Sequence, residues 1–396
     1  MKPILPLRPR GDALRIVDII NLSSSADTLL RERVLRLRAK GVDNRIVCID
    51  GPYVRPLRAA GIPVTTMPIP RGMNPFLLAW SLVALWVHLR RVKPDLVHTH
   101  CSVPGIVGRI AARLAGVPVI VHTVHGFAFH GNSHGPMHAF AVGVERIAGR
   151  LTDVLLSQNR EDLEQAAQLR IAPRERLKLI GNGIPIERFP VAESRGVTGE
   201  RPTIVTCVAR FEPVKNHALL LEAARLLQER GKSFELWLVG GGQGRARAQA
   251  QCAAWGLEAR VRFLGYRDDI PALLARSDIG TLTSLKEGIP RAALEAMAVG
   301  LPFVATRVTG TREVVRDGET GFLVNLGDAA GLAAALERLM DDATLRERMG
   351  ARGREVVLEE FDESEIVRKL ERVYRESLQH RGIGVPATLA RGVEAS

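Results

Sequence analysis

Short apolar runs alternate with longer mixed segments along most of the chain. In the first half the runs are almost wholly apolar, as strands buried on both faces are, and the segments between them have helical spacing. We predict strands at residues 14–20, 45–50, 64–69, 95–100, 117–122, 153–157 and 177–180, and helices at 26–40, 75–91, 104–115, 138–150 and 160–169. Strands that alternate with helices predict a parallel sheet covered on both faces, with ligands at the carboxyl ends of its strands.

The same alternation begins again in the second half of the chain. We predict further strands at 202–209, 234–239, 261–264, 279–283, 303–306 and 321–324, and helices at 216–229, 269–276, 291–299, 329–340, 344–359 and 363–379. Residues 181–213 contain four prolines and four glycines, and 191–201 are polar and rich in turn formers. The predicted organisation is therefore a Rossmann-like domain at 1–190, a linker at 191–201, a second Rossmann-like domain at 202–360, a closing helix at 361–380 and a disordered tail at 381–396.

One stretch of the second half combines a helix start with two carboxylates. Residues 284–306 read SLKEGIPRAALEAMAVGLPFVAT, with Pro290 suited to a first helical turn and Gly300 to a helix end. Helix geometry leaves the backbone amides around Gly288 free for a phosphate or a sugar hydroxyl. Glu287 and Glu295 flank this position, which suits a sugar nucleotide, although a solvated loop and helix surface would also accommodate both glutamates.

This stretch strongly resembles the retaining glycosyltransferases of family 4, and the resemblance extends from residue 14 to about 379. It implies the α/β fold class known as GT-B, in which two Rossmann-like, doubly wound domains face a central cleft. It also implies transfer of a hexose or N-acetylhexosamine, with retention, from a nucleoside diphosphate sugar, which we expect to be UDP-linked. The expected acceptor is a polyprenyl-linked or polysaccharide-precursor saccharide bound by the first domain, to which the closing helix would return.

Two cations follow the first strand of the second domain, in the sequence ARFEPVKNH. Arg210 and Lys215 are five residues apart, so they can converge on two adjacent phosphates, although surface cations near a helix start are the plainer interpretation. The resemblance implies that they clamp the donor diphosphate and stabilise its departure in place of a metal ion. We therefore expect neither a cofactor nor a metal, and the nucleotide sugar is the only co-substrate expected.

The resemblance assigns the other donor contacts residue by residue. Glu287, with the amides of Gly288 and Ile289, would bind hydroxyls of the transferred sugar, and Glu295 would bind the ribose. The remaining donor-binding positions are Gly241 and Gly242, where diphosphate or sugar would approach the backbone, and Tyr266 and Arg267, whose backbone would contact the base.

In the first domain, the HGF sequence at 125–127 resembles the family's His-Gly element facing the donor sugar. His125 would hydrogen-bond a sugar hydroxyl or assist the acceptor, and we count it among the catalytic candidates. Many relatives have a glycine-rich loop after the first strand, but here the sequence is IINLSSSADTLL. Asn21, Ser23 and Ser24 are the candidate acceptor-side residues that take its place.

Eight of the ten histidines lie between positions 88 and 138, so a zinc site must be considered. The spacing of the histidines at 122, 125, 130, 134 and 138 contains helix-compatible pairs, but interspersed glycine and proline argue against one helix that presents them all. We predict no metal site, and we expect His98 and His100 to line the end of a strand.

The net charge of +12 lies entirely in the first half of the chain. Residues 1–190 contain 26 Lys and Arg against 14 Asp and Glu, whereas residues 191–396 contain 29 of each. Such asymmetry indicates an anionic partner, namely membrane lipid, a lipid-linked phosphate or nucleic acid, unless the charges are simply solvated. Nucleic acid is not expected, because the basic half lacks interleaved stacking aromatics.

Residues 75–94 carry Trp80 and Trp86 in an apolar helical run that ends in Arg90, Arg91 and Lys93. We predict that this helix either rests in the headgroup layer of an anionic membrane or simply packs on the sheet. No apolar run is expected to be long enough to cross a bilayer, and the N-terminus lacks the apolar core of a signal peptide. The expected location is the cytoplasm, at the inner face of the membrane if the helix binds lipid.

Three alternative functions remain open from the sequence. The first is a glycosyltransferase with a small soluble acceptor, and the second is an epimerase or phosphorylase of the same fold. The third is a basic protein without enzymatic activity that binds a membrane or nucleic acid. The third is disfavoured because the most distinctive motif lies in the half of the chain without excess charge.

Overall fold

The structure is a computed structural model, which describes residues 13–70, 72, 74–127, 135–191 and 201–385. The chain forms two compact units. The first comprises residues 1–181 and 365–396, and the second comprises residues 182–364. Each unit contains one parallel sheet with helices, which confirms the prediction of two Rossmann-like domains.

The first unit contains a seven-stranded parallel sheet. Its strands are β1 (Arg15–Ile19), β2 (Asp43–Cys48), β3 (Val64–Thr66), β4 (Leu96–His100), β5 (Val119–Val124), β6 (Val154–Ser157) and β7 (Leu177–Leu179). The spatial order is β3-β2-β1-β4-β5-β6-β7. The strand order reverses between β1 and β4, and ligands of open α/β sheets bind at the carboxyl ends of the strands beside such a reversal.

Six helices connect these strands. They are α1 (Ser23–Ala39), α2 (Val54–Ala59), α3 (Pro75–Val92), α4 (Ser102–Ala115), α5 (Pro136–Arg150) and α6 (Arg160–Gln168). The start of α3 is set by Asn74, whose side chain accepts hydrogen bonds from the N–H groups of Phe76 and Leu77, and by Pro75 in the first turn. The short helix α2 was not predicted from the sequence.

The second unit repeats the architecture with six parallel strands. These are β8 (Thr203–Val208), β9 (Phe234–Val239), β10 (Val261–Gly265), β11 (Ile279–Leu282), β12 (Phe303–Thr306) and β13 (Gly321–Val324), in the order β10-β9-β8-β11-β12-β13. The helices are α7 (His217–Glu229), α8 (Arg245–Ala254), α9 (Ile270–Ala275), α10 (Arg291–Ala298), α11 (Thr309–Val314), α12 (Ala329–Asp341) and α13 (Ala343–Glu360). Here the order reverses between β8 and β11.

The last helix, α14 (Glu363–His380), belongs to the first unit from residue 365 onward. Leu370, Tyr374 and Leu378 are buried in one core with residues of β1, β4 and β5. Lys40, directly after α1, also forms an ion pair with Glu371, at 2.7 Å. The amphipathic pattern of this helix is therefore satisfied by the sheet of the first unit.

The predicted domain boundaries differ from the structure at two places. Residues 182–190 were placed in the first domain, but Ile184 and Phe189 are buried in the core of the second unit. Residues 381–385 were predicted to be disordered, yet Ile383 and Val385 pack against the core of the first unit. Residues 192–200 of the predicted linker at 191–201, and residues 386–396 of the predicted tail, lie outside the described residues.

Helix α3 is long and apolar enough to cross a membrane by length and composition, although only 17% of it is buried. The expectation that no apolar run is long enough to cross a bilayer is therefore wrong for this helix. Length and composition alone do not assign the helix to a membrane, since core helices pass the same test. In this helix, however, only Ser81, Leu85 and Leu89 are buried.

Candidate active site

The loops that follow β8 and β11 are fastened together at the carboxyl edge of the second sheet. The N–H of Leu285 donates a 2.8 Å hydrogen bond to the carbonyl of Val214. The hydroxyl of Thr283 donates to the carbonyls of Lys215 and Asn216, at 3.2 and 3.0 Å. These bonds hold the two loops together at the position where the strand order reverses, which is the expected ligand position of this topology.

Lys215 and Glu287 meet at this position. The Nζ atom of Lys215 donates to Oε1 of Glu287 at 2.5 Å, and the two side chains are only 19% and 11% exposed. An ammonium has three N–H donors and a carboxylate has about four acceptor sites, so both groups keep hydrogen-bonding capacity for a ligand. The pair can therefore present a cation to a phosphate and a carboxylate to a hydroxyl at one place.

Arg210 lies two residues after the end of β8, and its side chain faces outward. Its side chain is 57% exposed, and its guanidinium forms an ion pair with Glu212 at 2.8 Å. The structure thus pairs each of the two predicted phosphate-binding cations with a glutamate. Convergence of Arg210 and Lys215 on one diphosphate stays a prediction.

The glycine-rich turn after β9 packs closely against the loop that carries Arg210. Phe211 donates its N–H to the carbonyl of Gly241 at 2.8 Å, and Gly244 donates to the carbonyl of Phe211 at 2.9 Å. A Cβ at Gly242, where φ is +138°, would lie 2.8 Å from the Phe211 carbonyl oxygen, whereas one at Gly241 would meet open space. Gly242 is thus needed for packing, and Gly241 is the position where a ligand has room.

Helix α10 begins beside the Lys215–Glu287 pair and carries Glu295. Its carboxylate lies 3.4 Å from the guanidinium of Arg291, one helical turn earlier, and the side chain is largely buried. Burial raises the pKa of Glu295 above its ordinary value, and Arg291 opposes that effect. The backbone before the helix is held closely, because a Cβ at Gly310 would lie only 1.0 Å from the Gly288 carbonyl oxygen.

The base-binding prediction falls on an exposed turn after β10. Tyr266 is exposed. Arg267 donates to both carboxylate oxygens of Asp269, at 2.7 and 2.6 Å. The guanidinium is therefore engaged within its own turn, and the contact of this backbone with a base stays a prediction.

A buried polar network lies at the carboxyl edge of the first sheet, where the strand order reverses between β1 and β4. Asp18 on β1 accepts from Arg33 of α1, from Nδ2 of Asn44 at 2.7 Å and from Nε2 of His100 at 3.0 Å. Burial acts to raise the pKa of Asp18, but Arg33 and the hydrogen bonds from His100 and Asn44 outweigh it and lower the pKa. Asp18 is therefore a carboxylate that only accepts hydrogen bonds.

Because Asp18 only accepts hydrogen bonds, the proton positions on His100 and His125 can be assigned. Burial lowers the pKa of His100, so its ring is neutral and its only proton is on Nε2, facing Asp18. Its Nδ1 then accepts from Nε2 of His125 at 3.2 Å. Burial and the neighbouring His100 also lower the pKa of His125 to about 3, so this ring is neutral as well. The buried Nδ1 of His125 is thus an acceptor. No described atom meets the geometry of a hydrogen bond to it, and Gln158 is the polar side chain whose contact acts to raise the pKa of this ring.

The same network bears on the metal prediction. Asp18, His98 and His100 bring ligand atoms within 4.8 Å of one another, as a metal site would. However, His98 already bonds the Tyr374 hydroxyl at 2.6 Å and the Thr123 hydroxyl at 2.7 Å through its two ring nitrogens. Because Arg33 supplies the cation beside Asp18, we interpret the cluster as a hydrogen-bonded network. Two histidines of the considered zinc spacing, at 130 and 134, lie outside the described residues.

The acceptor-side prediction at the first loop is only partly compatible with the structure. Ser23 is buried at the start of α1, and its hydroxyl lies 2.4 Å from where a Cβ on Gly51 would be, so it is not presented to a substrate. Oδ1 of Asn21 accepts from the Leu22 N–H at 2.8 Å and so shapes its own loop. Ser24 is half-buried.

Asp18 and Arg33 were not predicted as site residues from the sequence. The signal for Asp18 was a single charged residue inside an otherwise apolar strand, because burial of an unpaired charge is costly and implies a partner. The signal for Arg33 was weaker, since it is one of four arginines in α1.

Glu287 and Glu295 are predicted to affect different parts of the reaction. Glu287→Gln should reduce sugar-dependent turnover about 10²-fold with little change in UDP affinity, because UDP lacks the sugar whose hydroxyls Glu287 would bind. Glu295→Gln should weaken UDP binding by roughly 10- to 100-fold, the loss expected for a charged hydrogen bond. Isothermal titration with UDP and steady-state kinetics separate the two effects.

Glu235→Gln is the matched control for this comparison. Glu235 is a part-buried glutamate of the same unit that bonds Trp237 and Arg262, at the opposite end of β9 from the glycine turn. Both measurements should leave this variant unchanged. Equal losses of UDP affinity in the two test variants would reject the division of roles.

Two Rossmann-like units in one chain, each with its own parallel sheet, are the architecture of the GT-B fold. Residues 192–356 match the family model described as glycosyl transferases group 1, and residues 27–183 match a glycosyl transferase 4-like domain. The chain belongs to the group 1 glycosyltransferases, as the resemblance implied.

Curated relatives support the same assignment. The chain is 36% identical, over 67% of its length and 71% of the relative, to the Escherichia coli UDP-Gal:alpha-D-GlcNAc-diphosphoundecaprenol alpha-1,3-galactosyltransferase. It is 30% identical to the Bacillus anthracis N-acetyl-alpha-D-glucosaminyl L-malate synthase, over 73% of this chain and 77% of the relative.

Solved structures match over nearly the whole chain. Anabaena HepE in complex with UDP and glucose matches with a TM-score of 0.76 at 22% identity, over 92% of this chain and all of that one. Sucrose-phosphate synthase from Thermosynechococcus elongatus matches with a TM-score of 0.79 at 22% identity, over 93% of this chain and all of that one. At these identities the matches establish the fold.

Proposed function

We propose that this glycosyltransferase moves a hexose or N-acetylhexosamine from a UDP-sugar, with retention at the anomeric carbon, to a polyprenyl-linked saccharide or polysaccharide precursor. The observation that carries the proposal is the Lys215–Glu287 pair at the strand-order reversal of the second unit. A phosphate-binding cation beside a hydroxyl-binding carboxylate is what a sugar diphosphate requires.

The relatives support the choice of substrates. The Escherichia coli relative is named for a UDP-sugar donor and a diphosphoundecaprenol-linked acceptor. The Bacillus anthracis relative is named for L-malate, which favours a small soluble acceptor as the second candidate. The exposed apolar face of α3 is the observation that favours a lipid-linked acceptor over a soluble one.

In the proposed reaction, the two cations act by electrostatic stabilisation of the leaving diphosphate. The bond from the anomeric carbon to the diphosphate oxygen breaks, and the acceptor oxygen forms its bond to that carbon on the same face. The acceptor proton passes to the departing diphosphate. Lys215 and Arg210 stabilise the charge that develops on the diphosphate, and Glu287 holds the sugar hydroxyls. His125 accepts a hydrogen bond from a substrate hydroxyl through Nδ1.

The test is a transfer assay with UDP-hexoses and UDP-N-acetylhexosamines against a lipid-diphosphate saccharide and against small soluble acceptors. Proton NMR of the product reports the anomeric configuration, and an α-linked product from an α-linked donor is expected. We also expect full activity in excess EDTA, because Arg210 and Lys215 take the place of a metal. An inverted product would reject retention, and loss of activity in EDTA that a divalent cation restores would reject metal-free catalysis.

We further propose that the first unit binds the inner face of the cytoplasmic membrane through α3. Phe76 and Trp80 are 84% and 62% exposed, and the helix ends in the exposed cations Arg90, Arg91 and Lys93. Tryptophan suits the headgroup layer, and each cation near an anionic surface contributes about 1 kcal/mol. The structure therefore presents both an apolar face and a basic end.

Co-sedimentation with vesicles tests this proposal. Binding should require anionic lipid, weaken with salt and fall at least about 100-fold when Arg90, Arg91 and Lys93 are changed to Glu, since three favourable charges become unfavourable. The control carries the same charge change at exposed arginines of the second unit, as Arg247→Glu, Arg262→Glu and Arg348→Glu, and should bind like the wild type. A wild type that ignores anionic vesicles at low salt would contradict the proposal.

A further inference from the structure

An apolar groove runs between α3 and α4 in the first unit. It encloses a cavity of about 180 Å³, and every residue that lines it is apolar. Leu78 and Leu82 lie one turn apart on α3, and Val103, Ile106 and Ile110 form one face of α4. All five are only half-buried, so the groove is open to solvent. Open apolar surface of this kind is costly unless something covers it.

The groove starts near the polar network of the first sheet. Helix α4 begins at Ser102, two residues after His100, so the groove end at Val103 lies at the carboxyl edge of the sheet. From there, exposed apolar residues continue on both helices, with Trp86 one turn beyond Leu82 and Leu114 one turn beyond Ile110. The groove thus leads from the edge that carries His125 toward the basic end of α3.

The size and charge of the groove indicate its occupant. A cavity of about 150 Å³ with an apolar lining holds a benzene-sized molecule, so about 180 Å³ takes roughly one five-carbon isoprene unit and excludes a protein helix. Neither α3 nor α4 contains an acidic residue, and Arg90 and Arg91 end α3. Positive charge at the far end of an apolar channel complements an anionic lipid layer, from which a hydrocarbon chain can enter the groove.

We propose that the α3–α4 groove binds the hydrocarbon chain of the lipid-linked acceptor, next to its diphosphate. This inference rests on the proposed function for its acceptor class. It adds a chain-binding subsite that holds the first isoprene unit, while the outer face of α3 contacts the membrane. The chain then positions the saccharide end of the acceptor at the carboxyl edge of the first sheet.

A filling variant can close the groove without adding a polar group to the fold. Ala79 lines the groove but is exposed on α3, so Ala79→Phe adds a ring in the groove that the helix tolerates. Val83→Phe is the matched control, because Val83 is an exposed residue of the same helix outside the lining. Ile106→Thr is a second test variant that makes the α4 wall less apolar.

The experiment compares farnesyl diphosphate, below its micelle concentration, with inorganic pyrophosphate by isothermal titration. The wild type and Val83→Phe should bind the farnesyl compound at least about tenfold tighter than pyrophosphate, since each buried methylene contributes a factor of about four. Ala79→Phe should abolish that preference and Ile106→Thr should reduce it. Circular dichroism and the Tm confirm that the variants fold.

Three outcomes would overturn the inference. The first is equal affinity of the wild type for the two compounds, and the second is a preference for farnesyl diphosphate that survives in Ala79→Phe. The third is a wild-type dimer that Ala79→Phe converts to monomer, because the groove would then be a contact between copies of the chain. Because this binding assay needs no turnover, it is independent of the proposed function. Chain binding without transfer to any lipid-linked saccharide would reject the proposed acceptor and keep the groove as a lipid site.

Discussion

Lys215→Ala and Arg210→Ala should each lower kcat/KM by about 10²- to 10³-fold, the cost typical of losing one group that stabilises a developing negative charge. The effects on stability should differ. Arg210 is 57% exposed, and its ion pair among the described residues is with Glu212, so its loss should cost at most about 1 kcal/mol. Lys215→Ala leaves the largely buried Glu287 carboxylate without its partner, so a larger drop in Tm is expected there than for Arg210→Ala.

Arg262→Ala provides the matched control for Arg210→Ala. Arg262 is 56% exposed, forms an ion pair with Glu235 at 3.5 Å and lies on β10 of the same unit, away from the glycine turn. Its substitution should leave kcat/KM and Tm unchanged. Steady-state kinetics at varied donor concentration and thermal denaturation give the comparison. Turnover within threefold of the wild type in both test variants would reject the assignment of these cations to the leaving diphosphate.

Acidification from pH 7 to 5.5 should destabilise the first unit by several kcal/mol. His98, His100, His122 and His125 have pKa values lowered by burial, so all four are neutral in the folded chain. Unfolded histidine has a pKa of about 6.5, so below that pH the unfolded state binds protons that the folded state does not. The stability that these groups contribute is therefore present above about pH 6.5 and is lost as the pH falls.

The expected loss is about 1 kcal/mol for each of the four histidines over this interval. Asp18 has a lowered pKa and stays ionised throughout the interval, so it does not contribute to the pH dependence of the free energy of unfolding there. Thermal denaturation at several pH values measures the effect, and His98→Gln should reduce its pH dependence because one buried neutral ring is removed. His380→Gln, at an exposed position on α14, is the control and should leave the slope unchanged. A Tm that is constant between pH 7 and 5.5 would contradict the assigned protonation states.

The sequence predicted the positions of Arg210 and Glu287 at strand ends because buried parallel strands have a clear apolar pattern. It did not predict the Lys215–Glu287 ion pair, whose members are 72 residues apart. That contact depends on β8 lying beside β11, and strand order in a sheet leaves no trace in local periodicity. The network of Asp18 and His100 could not be predicted for the same reason, because it requires β1 to lie beside β4.

Local composition explains two other differences between the predictions and the structure. Helix α8 reads RARAQAQCAA, which lacks an apolar stripe, so no periodic signal marked it. The Gly242 turn was assigned to ligand approach because a glycine-rich sequence does not reveal which backbone lies opposite. In contrast, the start of α3 was predicted correctly, since Asn74 and Pro75 are strong local signals for a helix beginning.

The central claim is that the strand-order reversal of the second unit, marked by Lys215 and Glu287, is the nucleotide-sugar site. A crystal structure of the full chain with UDP bound tests it most directly. We predict the diphosphate within about 3 Å of the Lys215 ammonium and the Arg210 guanidinium, with the ribose hydroxyls on the Glu295 carboxylate. A diphosphate bound elsewhere, with the Lys215–Glu287 pair in contact with neither phosphate nor sugar, would contradict the account.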